Sequence, residues 1–256
     1  MARKVIAFDL DGTLAASKYP MDDHMATLLG DLLSKYHVCV ISGGRFEQFE
    51  RQMLANLKVE PAKLKKLHIM PTCGTRYYRF KNDKWHQEYA EDLTPEEKKE
   101  IIKALKKGFE DLGYKAKRTY GPAIEDRGSQ ITYSVLGQDI VDVLGKRGVE
   151  IKYAWDPDNS KKQAVRDYVA PLIPQFEVRV GGVTSVDVTK PGIDKAYGMQ
   201  KLIELLSISK NEVLFIGDRL QEGGNDYPVK AMGIDCLQVA EVNETAAAIE
   251  AIIQVT

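Results

Sequence analysis

Four apolar residues, Val5-Ile6-Ala7-Phe8, run directly into Asp9-Leu10-Asp11-Gly12-Thr13-Leu14 near the start of the chain. The run reads as a buried strand. Side chains at i and i+2 of a strand share a face, so Asp9 and Asp11 are aimed alike if the extended geometry persists past Phe8. Two carboxylates that close destabilise each other in a low-dielectric pocket unless a cation or a shared proton relieves them, which makes the pair a candidate metal site. Gly12 permits a sharp turn. Thr13 adds a hydroxyl beside exposed backbone N–H groups, as a phosphate pocket requires. Taken alone, the same residues also fit an acidic loop with a turn glycine.

Complementary pieces follow in order. A second apolar run, Val38-Cys39-Val40-Ile41, ends in Ser42-Gly43-Gly44-Arg45, a hydroxyl and flexible backbone able to hold a phosphate oxygen. Val213-Leu214-Phe215-Ile216 ends in Gly217-Asp218 and is followed by Gly223-Gly224-Asn225-Asp226. Asp194-Lys195 opens an apolar-periodic helix through Tyr197, Met199, Leu202, Ile203, Leu205 and Leu206, setting a cation near a helix N-terminus. Singly, these are a turn, a solvated lysine and a Gly/Asn/Asp loop. Jointly, each falls at the C-terminal end of a buried strand or at the start of the helix after it. Open parallel sheets bind ligands at that edge.

Periodicity supplies the framework. A strand at 4–9, a helix over 21–36 and a strand at 37–41 form a βαβ unit, which favours a parallel sheet with right-handed crossovers. A helix near 45–57 and a strand at 66–70 continue it, and 77–89 reads as a hairpin about Asn82-Asp83. Thr94-Pro95-Glu96-Glu97 opens a helix to residue 112 with Ile101, Ile102, Leu105, Phe109 and Leu112 on one face. Strands at 130–135, 176–181 and 183–188 and a helix near 158–171 complete a compact α/β insert, after which helix and strand alternate to the end. The chain thus leaves one core and returns to it, with 1–80 and 190–256 as the discontinuous core and 81–189 as an inserted domain.

The set Asp9-Leu10-Asp11-Gly12-Thr13, Ser42, Lys195, Gly217-Asp218 and Asn225-Asp226 resembles, in residue type, order and spacing, the four motifs of the haloacid dehalogenase superfamily of phosphoryl-transfer enzymes. The resemblance implies an α/β fold with a Rossmann-like parallel-sheet core. The long insert between Ser42 and Lys195 is similar to the branch, subclass IIB, in which an α/β cap domain selects the substrate, mostly in sugar-phosphate phosphatases. Ile124-Glu125-Asp126-Arg127-Gly128, Gly181 to Val188, Gly192 to Tyr197 and Gly223 to Asp226 look more closely like the eukaryotic-type phosphomannomutases. Lys18 and Gln138 stand where that pattern has arginine, and lysine does not reproduce arginine's bidentate grip on phosphate.

From the resemblance come the expected roles. Asp9 is the nucleophile that forms an aspartyl-phosphate, and Asp11 protonates the leaving oxygen and then activates the second acceptor. Mg²⁺ is held by Asp9, the Asp11 carbonyl and Asp218, with Asp226 supporting its water shell, and a hard cation with oxygen donors suits that set. Ser42 and Lys195 hold the phosphoryl oxygens, with Thr13, Gly43, Gly44, Arg45 and Asn225 lining the substrate pocket. Arg127, Ser185 and Asp187 meet the sugar phosphate from the cap. The reaction expected is hydrolysis of a hexose phosphate, with mannose 1-phosphate to mannose 6-phosphate interconversion as the alternative and a catalytically silent sugar-phosphate binder as a third reading.

Composition narrows the partners. With 36 basic and 37 acidic residues the net charge is 36 − 37 = −1, which gives no basic excess for nucleic acid. No apolar run approaches the roughly 20 residues of a membrane span, and Met1-Ala2-Arg3-Lys4 leads into a strand and not a signal-peptide core, so a cytoplasmic protein is expected. Cys39, Cys73 and Cys236 are an odd, scattered set that reads as free thiols, and the four histidines lack metal-ligand spacing. Pairing into a homodimer is left open.

Overall fold

The computed structural model describes residues 3–255, so the sequence expectations on Met1 and Ala2 lie outside the described residues. In chain order, the elements before residue 91 are β1 (Val5–Phe8), α1 (Asp23–Lys35), β2 (His37–Ile41), α2 (Phe46–Phe49), a π-helical turn (Glu50–Leu54), α3 (Pro61–Leu64), β3 (Leu67–Met70), β4 (Arg76–Lys81) and β5 (Lys84–Ala90). Then come α4 (Pro95–Asp111), β6 (Ile124–Asp126), β7 (Gln130–Ser134), α5 (Ile140–Leu144), α6 (Lys146–Trp155), α7 (Ser160–Val169), β8 (Glu177–Val180) and β9 (Ser185–Thr189). After residue 192 follow α8 (Lys195–Leu206), β10 (Val213–Gly217), α9 (Tyr227–Ala231), β11 (Asp235–Gln238) and α10 (Val242–Val255).

The chain divides into two compact units, one running to Ala90 and resuming at Ile193, the other Glu91–Gly192. The first is built on a seven-stranded sheet in the order β11-β10-β1-β2-β3-β4-β5. β1 pairs in parallel with both β2 and β10, and the only antiparallel pairings in this sheet are β3–β4 and β4–β5, so that β4 alone runs against the other strands. All four residues of β1 are buried because helices cover both faces. Ile6 and Phe8 pack with Leu29, Leu32 and Ile249 of α1 and α10, whereas Val5 and Ala7 pack with Met199, Leu202 and Val229 of α8 and α9. Chain order reverses at β1, since β2 and β10 lie on opposite sides of it, and a crevice opens at the C-terminal end of the strands at such a point.

Local chemistry sets the helix starts. Asp22 caps α1 by accepting from Met25 N at 2.8 Å, and Asp194 caps α8 by accepting from Tyr197 N at 3.0 Å, which fixes Lys195 as the first residue of α8. Asn82 and Asp83 both take positive φ, 48° and 57°, as a two-residue hairpin requires. That hairpin belongs to the first unit: β5 pairs along its length with β4, so the unit reaches Ala90, whereas the sequence pattern starts the insert at 81.

In the second unit a four-stranded antiparallel sheet, β6-β7-β9-β8, carries helices on one face. Ile131, Val178, Val186 and Val188 pack there with Ile101, Leu105, Phe109, Val165 and Val169 of α4 and α7. Alternation sends the intervening residues to the opposite face, where Glu125, Thr132, Asp187 and Arg179 stand in one cross-strand row. The short helices α5 and α6 and strand β6 have no counterpart in the sequence pattern, because Gly145 and Gly148 interrupt the apolar spacing and β6 is only three residues long.

Candidate active site

β1 ends at Phe8 and the next residue, Asp9, is 3% exposed, with its backbone N–H still bonded to Ile216 O at 3.0 Å. The sheet therefore delivers this carboxylate to the C-terminal edge without a free rotor in its main chain. Lys195 is 1% exposed, and its Nζ lies 2.6 Å from Asp9 Oδ1 and 2.5 Å from Asp226 Oδ1. Asp226 bonds through its other oxygen to the Arg219 backbone N–H at 3.0 Å, so both of its oxygens are engaged. One ammonium thus ties a residue after β1 to one after β10.

Asp218 joins them. Carboxylate oxygens of Asp9, Asp218 and Asp226 all lie within 4.8 Å of one another. Asp218 Oδ1 is buried and has no hydrogen-bond partner, an acceptor that calls for a ligand. Gly12 is required here twice over, because its φ is +86° and a Cβ would stand 2.7 Å from Asp218 Oδ2. The residues fit a hard divalent cation: all donors are oxygen, one is orphaned, and the cluster is acidic in excess.

The electrostatics follow from burial. Desolvation pushes the Asp9 carboxyl up to about 7; Lys195 works against that shift, and the Asp226 charge adds to it. Asp218 is also raised, by burial first and then by the Asp226 charge. Burial alone would lower the Lys195 ammonium, but Asp9 and Asp226 outweigh it and hold the amine protonated.

Asp11 goes elsewhere. Its carboxylate accepts from Gln48 Nε2 at 2.7 Å, Gln52 Nε2 at 3.1 Å and the Lys18 backbone N–H at 2.8 Å, and it is not part of the three-acid cluster. Ser42 is 5% exposed and its Oγ accepts from Gly44 N at 3.2 Å. Gly43 has open space where a side chain would stand, whereas the Gly44 position is filled by the Gln48 amide. Thr13 is fully buried with its hydroxyl unpartnered, Arg45 is half-exposed beside Glu47, and Asn225 is exposed next to Asp226.

On the polar sheet face of the second unit, Arg127 donates to Glu125 Oε2 from Nε at 2.8 Å and lies 2.7 Å from it through a terminal nitrogen. Asp187 accepts from Thr132 Oγ1 at 2.7 Å, and burial raises its pKa while the Arg127 charge opposes the shift. Ser185 lies two residues before Asp187 on the same strand face. Gln48, Gln52 and Arg179 were not flagged by the sequence. Two glutamines four residues apart look like a solvated helix face, and the place of Arg179 opposite Asp187 is set by strand register, which the sequence pattern does not give.

Residues 6–228 match the family of haloacid dehalogenase-like hydrolases. The chain belongs to that family. It is an enzyme, and its chemistry is phosphoryl transfer. Among curated relatives, a phosphomannomutase of Encephalitozoon cuniculi is 26% identical over 237 residues, 89% of this chain and 84% of the relative, and phosphomannomutase 1 of Mus musculus is 25% identical over 90% and 84%. The fold is shared with an N-terminally truncated IMP-nucleotidase of Plasmodium falciparum, at a TM-score of 0.69, 18% identity and coverage of 100% of this chain and 71% of that one. A haloacid dehalogenase-like hydrolase from Bacteroides thetaiotaomicron superposes with a TM-score of 0.63 at 17% identity, covering 98% and 99%. Among the described residues no helix is long and apolar enough to cross a membrane.

Proposed function

We propose that this family member is a Mg²⁺-dependent sugar-phosphate phosphatase that works through a phosphorylated Asp9. The observation that carries the reading is the single buried ammonium bridging Asp9 and Asp226, with Asp218 in the same cluster. A phosphate ester is anionic and repels an attacking carboxylate, so the attacker must sit beside fixed positive charge. Lys195 supplies that charge at Asp9 and is all but closed off from bulk solvent. Asp9, Asp218 and the Asp11 carbonyl would hold the cation, with Asp226 supporting its waters. When bound, the metal would offset charge on the phosphoryl oxygens and orient them.

Asp9 Oδ attacks phosphorus while the bond to the sugar oxygen breaks, and Asp11 gives that oxygen its proton. A water then attacks the phosphoaspartate with Asp11 as base, releasing phosphate. Ser42 Oγ and the open backbone at Gly43 are suited to the phosphoryl oxygens, and Arg127, Ser185 and Asp187 offer charge and hydroxyl recognition for the sugar. The names of the curated relatives favour a second reading, a mutase in which the sugar phosphate itself takes the phosphoryl group from Asp9. Lys18 and Gln138, standing where the mutase pattern has arginine, favour hydrolysis.

The test is a panel of hexose phosphates with Mg²⁺, read in parallel for inorganic phosphate and for sugar isomer exchange. Phosphate release supports the phosphatase. Exchange between mannose 1-phosphate and mannose 6-phosphate, dependent on a hexose bisphosphate and without phosphate release, replaces it with the mutase. Asp9→Asn with unaltered turnover rejects both.

A further inference from the structure

We propose that Gln48 and Gln52 form an amide clasp that positions Asp11 for proton transfer. The inference rests on the reading of Asp11 as the proton carrier and deepens it. Both carboxylate oxygens are engaged from one helical segment: Gln48 Nε2 donates to Oδ2 at 2.7 Å and Gln52 Nε2 donates to Oδ1 at 3.1 Å. The Lys18 backbone N–H adds a third donor to Oδ1 at 2.8 Å. Between them these donors fix the rotation of the carboxylate, and neither amide nitrogen can serve as an acceptor.

Three features separate this arrangement from incidental packing. Gln52 is 3% exposed and spends both amide hydrogens, one on Asp11 and one on the Tyr19 carbonyl at 3.1 Å, yet its Oε1 is buried with no partner. A buried acceptor left unsatisfied is a structural liability, so the residue is kept for its two donors and not for stability. Secondly, Gln52 lies in a π-helical turn, Glu50–Leu54, that continues α2, and such turns concentrate at functional positions. Thirdly, a Cβ at Gly44 would stand 2.1 Å from Gln48 Oε1, so the loop after β2 is cut back to hydrogen to admit the Gln48 amide. Gly44 thereby serves the clasp, a role distinct from a phosphate-binding backbone.

A positioning role for a general acid has a signature that a structural role lacks. p-Nitrophenolate leaves without a proton, whereas a sugar alkoxide does not, so damage to Asp11 alignment falls on the sugar ester. The experiment compares kcat/KM for p-nitrophenyl phosphate and for a hexose 6-phosphate, both with Mg²⁺, in the parent protein, Gln48→Met, Gln52→Met, Gly44→Ala and Asp11→Asn. Folding is verified by thermal melts. The expected result is a fall of about tenfold to a hundredfold on the hexose phosphate in each glutamine variant, part of the roughly 10²–10⁴ that general acid catalysis contributes. The ratio of the nitrophenyl to the hexose value rises by about tenfold or more. Gly44→Ala shifts the ratio the same way.

Equal losses on both esters, or an unchanged ratio in the glutamine variants, overturns the clasp. If Asp11→Asn raises the ratio and the glutamine variants do not, the clasp fails alone. If Asp11→Asn leaves the ratio where it was, the reading of Asp11 fails and takes the clasp with it. Should Gln52→Met not fold, half-buried Gln48 decides the matter through its Met variant.

Discussion

Gly198→Ala is predicted to damage the active site from outside it. Gly198 lies one turn into α8 after Lys195, and a Cβ there would stand 2.4 Å from Ile41 Cδ1 and 2.6 Å from the Cys73 carbonyl oxygen. Its Cα in turn lies 2.3 Å from where a Cβ on Gly74 would be. Helix α8 therefore rests directly on the turn at residues 72–74, which is held in an unusual shape with positive φ at Thr72, Cys73 and Gly74. That turn braces the loop after β2, through Cys73 N to Ser42 O and Thr72 N to Gly44 O, each at 3.0 Å. An alanine needs the helix to retreat by about 0.8 Å to bring 2.6 Å out to ordinary contact at 3.4 Å. Overpacking of this kind costs about 1–3 kcal/mol, and the helix preference of alanine over glycine returns about 0.5–1. At mid-range the net loss is about 1.3 kcal/mol, which lowers Tm by roughly 3–5 °C at this chain length. The same retreat carries Lys195 away from Asp9 and Asp226, and a displacement near 1 Å at a reacting centre can cost about a hundredfold. Differential scanning fluorimetry and kcat/KM on p-nitrophenyl phosphate measure the two effects. An unchanged or raised Tm refutes the close-approach argument; a lowered Tm with unchanged kcat/KM refutes the link from α8 to the site.

Removing Lys195 as Met is expected to lower turnover by about 10²–10³, the range for loss of one charge-stabilising donor, with Lys195→Arg failing to restore it because the fork cannot occupy the space between two carboxylates only 2.5–2.6 Å from Nζ. Chelation by EDTA abolishes turnover and Mg²⁺ restores it, and Asp218→Asn raises the Mg²⁺ concentration for half-maximal activity by about tenfold or more in a metal titration. In mild acid His68 weakens the fold: fully buried, and bonded through Nδ1 to Tyr77 and through Nε2 to His37, it has its pKa driven well below the usual value by burial and then by the Arg79 charge. The unfolded chain binds the proton that the folded one refuses, so the His68 contribution is full above about pH 6.5 and drops by about 1.4 kcal/mol per unit below it, while the raised Asp9 carboxyl works in the opposite direction; urea titrations of the parent and of His68→Gln at pH 7.5 and 5.5 isolate the His68 share, and a difference between the two proteins that does not change with pH counts against the assignment.

The parts of the fold that were legible in the sequence are those where one physical demand dominates. β1, β2 and β10 are apolar runs because both sheet faces are covered, and the hairpin at Asn82-Asp83 is legible because few residues accept two consecutive positive φ values. The extent of the first unit was not legible, since β5 is largely exposed and nothing in an exposed strand says which sheet it joins. Within the site, the acids and Lys195 announce themselves by type and order. Gln48 and Gln52 do not: their meaning arises only where a π-helical turn brings two amides to one carboxylate.

Charge explains why the legible residues occur as a set. Asp9, Asp218 and Asp226 set against Lys195 leave two negative charges when all are ionised, since −3 + 1 = −2, and the Asp9 carboxyl is pushed up to about 7 by burial first, with the Asp226 charge adding to the shift and the ammonium opposing it. One divalent cation would balance the cluster. In the proposed reaction a phosphate ester arriving with its own negative charge would then meet a site that is neutral overall, with the Lys195 ammonium beside Asp9. Losing the third acid would weaken the grip on the cation. Losing the lysine would leave two buried carboxylates, 31 sequence positions away and more, without their shared partner. The spacing of the motifs along 256 residues is thus set by the sheet, which needs separate strands to deliver acids to one edge, while their number is set by the charge of the group they handle.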